Sequence, residues 1–130
     1  MKRIPRRRQA GFSLIEVLTA ILIFSLGILG LVGLQTQAIQ FSTSAEDSNR
    51  AAMLANEIVA TMWVNQSATV PDAALTAWQA RVADPKVDGL PNGVGDVDVA
   101  GNQATITITW RAPNAPAGSQ NRYVTQATIQ

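Results

Sequence analysis

The chain has 130 residues, enough for one domain with a modest core. Its net charge of +1 conceals two opposed stretches. Residues 1–11 carry Lys2, Arg3, Arg6, Arg7 and Arg8 without an acid, while five basic and nine acidic residues follow, about −4. That acidic balance argues against nucleic-acid binding through phosphate contacts, and the absence of Cys and His excludes disulfides, thiolate sites and imidazole chemistry.

The basic block opens directly onto an apolar run over residues 12–34, which contains one charge, Glu16. At ~1.5 Å rise per residue such a helix reaches about 34 Å, enough to cross a hydrocarbon core of about 30 Å. Lys and Arg flanking an apolar span stay cytoplasmic, so the N-terminus is expected inside and the remainder outside, in the periplasm of a Gram-negative type of cell. A secretory signal peptide is the rival reading, and Thr36-Gln37-Ala38 offers a small-x-small cleavage site. Its apolar core would span only about 7–15 residues, shorter than this one, and would not hold a glutamate.

The hexapeptide Gly11-Phe12-Ser13-Leu14-Ile15-Glu16 resembles the processing motif of type IV pilins and pseudopilins. The stretch Gly27-Ile28-Leu29-Gly30-Leu31-Val32-Gly33-Leu34-Gln35 is similar to minor pilins of the PilV type. The resemblance covers roughly residues 6–37. It implies cleavage by a prepilin peptidase between Gly11 and Phe12, methylation of the new Phe12 amine, and retention of the apolar helix first as anchor and later as a packing element. It implies as partners other major and minor pilins, the inner-membrane assembly platform and membrane lipid. The implied location is a single-pass inner-membrane protein that later reaches the pilus and cell surface. No cofactor is expected.

Glu16 has three readings. It fits a capping box with Ser13, and an acid near a helix N-terminus is favourable in itself. The resemblance implies instead that it pairs with the N-terminal amine of a neighbouring subunit during assembly. Pairing with the chain's own Phe12 amine, one turn away, stays open beside it. Gly27, Gly30 and Gly33 lie close to one helical face, where small residues let apolar helices approach closely; glycine is also simply common in membrane helices. Many major pilins carry a proline in this region; this chain does not, so the glycines are its weak points at about 1 kcal/mol each relative to Ala.

Beyond residue 35 the chain turns polar without Pro or Gly until residue 71, so the helix is expected to continue, over about 12–63. Ala51, Leu54, Ala55, Ile58, Val59 and Met62 form a stripe at spacings of three and four facing a soluble core, with Asn49, Asn56 and Glu57 outward. A linker is expected over 64–71, and a short helix from Asp72 or Ala73 to Val82, with Leu75, Trp78 and Val82 inward. Residues 84–95 read as a loop. Asp96 and Asp98 read as solvated acids; clustered carboxylates suit a cation, but the spacing matches no recognised loop, and no metal site is assigned.

The last third alternates as strands do. Residues 97–100 lead through Gly101-Asn102, a hairpin signal, into 103–110, with Ile106, Ile108 and Trp110 on one face and Thr105, Thr107 and Thr109 on the other. A long turn precedes a final strand over 122–129. The expected fold is α+β and pilin-like: a long N-terminal helix whose second half packs on a small antiparallel sheet. The expected divisions are a leader at 1–11, a membrane or filament-core helix at 12–34, and a periplasmic domain at 35–130.

No catalytic constellation is present, so an enzyme is not expected. Three functions compete: a minor type IV pilus subunit acting in pilus initiation or assembly and in adhesion, a minor pseudopilin of a type II secretion system, and a membrane-anchored periplasmic domain outside any filament. Many type IV pilins close a C-terminal loop with a disulfide. Its absence here fits a minor subunit or a pseudopilin.

Overall fold

A computed structural model describes Gly11 and residues 13–130. The basic leader through residue 10, and Phe12, lie outside the described residues. Five elements follow in chain order: α1 (Leu14–Val64), α2 (Asp72–Val82), β1 (Val94–Ala100), β2 (Gln103–Trp110) and β3 (Asn121–Thr128). The fold is α+β and pilin-like, with a long N-terminal helix packed on a three-stranded antiparallel sheet. The chain divides into a unit up to Gln40 and a unit from Phe41.

In the first unit α1 is apolar and uncovered. Its most apolar 18-residue window has a mean hydropathy of 2.6, and the chain buries none of it. The hydroxyls within this stretch are satisfied by the helix itself. Thr19 Oγ1 donates to Ile15 O at 3.0 Å, Ser25 Oγ to Ile21 O at 2.7 Å and Thr36 Oγ1 to Val32 O at 3.1 Å. Hydroxyls turned back onto the i−4 carbonyl can enter hydrocarbon without a partner helix.

In the second unit the same helix becomes one-sided. Ala51, Leu54, Ala55, Ile58 and Met62 are buried, Val59 is partly so, and Asn49 and Asn56 face solvent. Asp47 extends the buried stripe by one turn, only 6% exposed. Burial lifts its carboxyl above the ordinary 3.8; Arg50 opposes the shift and Glu46 adds to it. The helix ends in a Schellman arrangement: Gln66 N donates to Trp63 O at 3.2 Å and Ser67 N to Met62 O at 3.1 Å, with Gln66 left-handed at φ 49.

The expected linker after α1 is a packed connection, since Ala68 and Val70 are buried in the core. α2 starts after Pro71, carries Asp72 in its first turn and Arg81 in its last, and so complements its dipole at both ends. Trp78 and Val82 are buried and Leu75 partly so. Trp78 Nε1 donates to Leu54 O at 2.8 Å, a buried bond from α2 to α1. The Arg81–Glu57 ion pair at 2.5 Å joins the same helices at the surface, where such pairs contribute little.

The sheet order is β1-β2-β3, with Val97 opposite Ile106 and Ile106 opposite Thr125. Ala104, Ile106, Ile108 and Trp110 point into the core, while Thr105, Thr107 and Thr109 lie half-buried on the other face. The turn is where expected, with Gly101 at φ 64. Two boundaries move. β1 begins at Val94 rather than 97: Gly95 belongs to the strand, and Trp78 lies so close that a Cβ there would meet its ring at 2.6 Å. β3 runs one residue earlier than expected, and Ile129, buried beyond it, is held by its N–H to Asn102 O at 2.9 Å.

Two outcomes test this packing. Gly95→Ala should destabilise the chain by about 1–3 kcal/mol, as overpacking of a tight core does; urea unfolding followed by near-ultraviolet signals from the tryptophans measures it. Asp47 binds its proton more tightly folded than unfolded, so its charge opposes folding once the pH rises through the folded value. Asp47→Asn should therefore raise the melting temperature at neutral pH, with the advantage vanishing as the pH falls below 3.8. Equal pH profiles for the two proteins would contradict this.

Candidate functional site

The residues singled out at the N-terminus share one short stretch of chain. Gly11 is exposed, and an ideal Cβ built on it meets nothing within 4 Å. Its neighbour Phe12 lies outside the described residues, so the geometry of that junction is not described. α1 begins two residues later, and Ser13 closes the first turn with its backbone: its carbonyl accepts Glu16 N at 2.9 Å and Val17 N at 3.3 Å.

Among the described residues the capping box is not formed. Toward the described residues, neither the Ser13 hydroxyl nor the Glu16 carboxylate makes a hydrogen bond, and Glu16 forms no ion pair. The Glu16 carboxylate is exposed on a helix whose neighbouring faces are Val17, Ala20 and Ile21. It stands in the first turn, where the helix dipole favours negative charge. A carboxylate in that setting is an acceptor with room for a cationic or N–H partner from outside the chain.

Further along, Gly27, Gly30 and Gly33 each advance by about 300° around the axis, so they span an arc of about 120°. A Cβ at any of them would meet nothing within 4 Å. The chain itself therefore gives no packing reason for glycine there. What the three produce is a shallow strip of bare backbone bordered by exposed Leu26, Leu29 and Leu34, a surface on which another apolar helix can approach closely.

Asp96 and Asp98 point outward from β1, opposite Thr107 and Thr105. No group of three or more acidic side chains is gathered for a metal ion among the described residues. Among the described residues the buried carboxylate is Asp47, which the sequence does not single out by motif. The signal was present: Asp47 stands four residues before Ala51, in phase with the core stripe.

Residues 6–32 match the family described as "Prokaryotic N-terminal methylation motif". No curated protein matches the chain, and no solved structure matches it. The matched segment contains the basic residues from Arg6, the Gly11–Phe12 junction, Glu16 and the apolar helix through Val32. It supports the type IV pilin and pseudopilin family, with a prepilin-like leader that implies processing by a prepilin peptidase and assembly with other pilins. The uncovered apolar half of α1 suits a membrane anchor of such a protein.

Since the Ser13 hydroxyl bonds none of the N–H groups in the first turn of α1, Ser13→Ala should leave the helix content of the full chain in detergent unchanged by circular dichroism. A side-chain cap at this position would instead contribute about 0.5–2 kcal/mol, and its loss would show as fraying of the first turns.

Proposed function

We propose that this chain is a structural, non-catalytic minor subunit of a type IV pilus, of the PilV type, acting in pilus initiation or assembly and contributing to adhesion. The peptidase cuts between Gly11 and Phe12 on the cytoplasmic side, and the Phe12 amine is methylated. Cutting there removes the basic block and keeps the helix. The observation that carries the reading is a carboxylate, Glu16, without a partner among the described residues, at the start of an uncovered apolar helix within a prepilin-like motif.

A carboxylate at the centre of hydrocarbon costs roughly 2.5–3.5 kcal/mol on insertion scales, so an anchor gains nothing from it. Assembly does: as α1 leaves lipid for a bundle of like helices, the amine of a neighbouring subunit and Glu16 neutralise each other where water is excluded. Gly27, Gly30 and Gly33 then let the helices approach. A minor pseudopilin of a type II secretion system uses the same leader and helix. Deleting the gene separates the two: loss of twitching supports the pilus, and loss of exoprotein release supports the secretion system.

Glu16→Ala should insert in the membrane at least as well as wild type. Its incorporation should fall steeply, because an incoming amine left without its counter-charge costs about 3–5 kcal/mol. The measurement is the ratio of this protein in sheared filaments to that in membranes. A ratio equal to wild type would contradict amine pairing.

A further inference from the structure

Outside the helix, a polar cleft of 350 Å³ opens at one end of the sheet, lined by Asn92, Arg111, Gly118, Ser119 and Gln120. Three separate segments build it: the approach to β1, the residue after β2, and the loop into β3. One backbone bond joins the first two, and the third is closed on itself. Arg111 N donates to Pro91 O at 3.0 Å, Ser119 N to Pro116 O at 3.1 Å, and the Ser119 hydroxyl to the same carbonyl at 2.8 Å. Of four positive-φ residues among those described, two line this cleft: Asn92 at φ 51 and Gly118 at φ 87. Asn and Gly are the residues that take left-handed backbone most readily, so both turns hold their shape at small cost.

The charge here runs against the rest of the domain. Beyond the leader the chain is acidic, and two of its five basic side chains are taken up by Glu46 and Glu57. The Arg111 guanidinium has no acid partner and no hydrogen bond among the described residues. No Asp or Glu lines the cleft. Arg122 lies opposite Thr109 in the register, two residues from Arg111, so a second positive charge stands at the same end of the sheet. The Gln120 side-chain amide adds a donor in the same cleft, and the Asn92 amide, one N–H of which reaches Arg111 O at 3.5 Å, keeps its second.

We infer that this cleft binds the carboxylate of a small polar ligand, with the planar Arg111 fork taking both oxygens and the Gln120 and Asn92 amides orienting what is attached. A guanidinium matches a carboxylate in two parallel bonds. All five lining residues are exposed, so the cleft takes the carboxylate and leaves most of its carrier, one sugar or one amino-acid side chain, in solvent. Two sources share this chemistry: a free acidic sugar, and an acidic side chain presented by another protein.

The test uses the full chain in neutral detergent micelles, following the Arg111 and Gln120 side-chain NMR signals. D-Glucuronate and a capped aspartate represent the two sources, and glucose and inorganic phosphate are the controls. At least one carboxylate should shift both signals saturably with a dissociation constant of about 1 mM, the reach of one charge-assisted pair. The tighter of the two identifies the source. Arg111→Gln should abolish the shift at Gln120, Arg111→Lys should weaken binding roughly tenfold by keeping charge without the fork, and Arg122→Gln should change it less than either. The inference is overturned if neither carboxylate saturates, if glucose or phosphate binds as well, or if Arg111→Gln leaves the Gln120 shift intact.

Discussion

Fourteen large apolar side chains between Leu14 and Leu34 are exposed to whatever surrounds the chain. Covering a side chain of this kind contributes about 1.5–3 kcal/mol, so the uncovered set represents on the order of 20–40 kcal/mol, more than the ~5–15 kcal/mol that holds a domain folded. The helix cannot stand in water. It needs lipid or other helices, and the features around it follow from that need: back-bonded hydroxyls, glycines without local contacts, and a single carboxylate at the end where a partner can reach it.

One helix thus serves two environments. Up to about residue 34 it is apolar on almost every side; beyond a polar stretch it becomes, from Asp47, a stripe that Trp78, Ile106 and Ile108 help to cover. The buried Trp78–Leu54 hydrogen bond and the close contact of Gly95 with Trp78 hold α2 between α1 and β1, so the sheet stays fixed on the helix that carries it.

The sequence made much of this legible because its signals were periodic. The stripe from Ala51 to Met62, the alternation of β2 and the Gly101-Asn102 turn each repeat one rule several times, and the structure places them as expected. What was not legible depends on tertiary contact. Gly95 looks like a loop residue until Trp78 lies over it. Ala68 and Val70 look like linker until the core covers them. Asp47 looks solvated until its place in the stripe is noticed, and the cleft at Arg111 joins segments that no local pattern connects. At the N-terminus the motif named the candidate residues, and the structure added that the Ser13 hydroxyl does not cap the helix.

The account stands on where the mature chain begins, because the apolar helix can act as anchor and assembly element only if processing spares it. Mass spectrometry of the intact protein from the membrane fraction reads this directly. The account predicts a chain starting at Phe12 and carrying one added methyl group on its amine. A chain starting at Ile39, cut after Thr36-Gln37-Ala38, or one that keeps its basic leader, would contradict it.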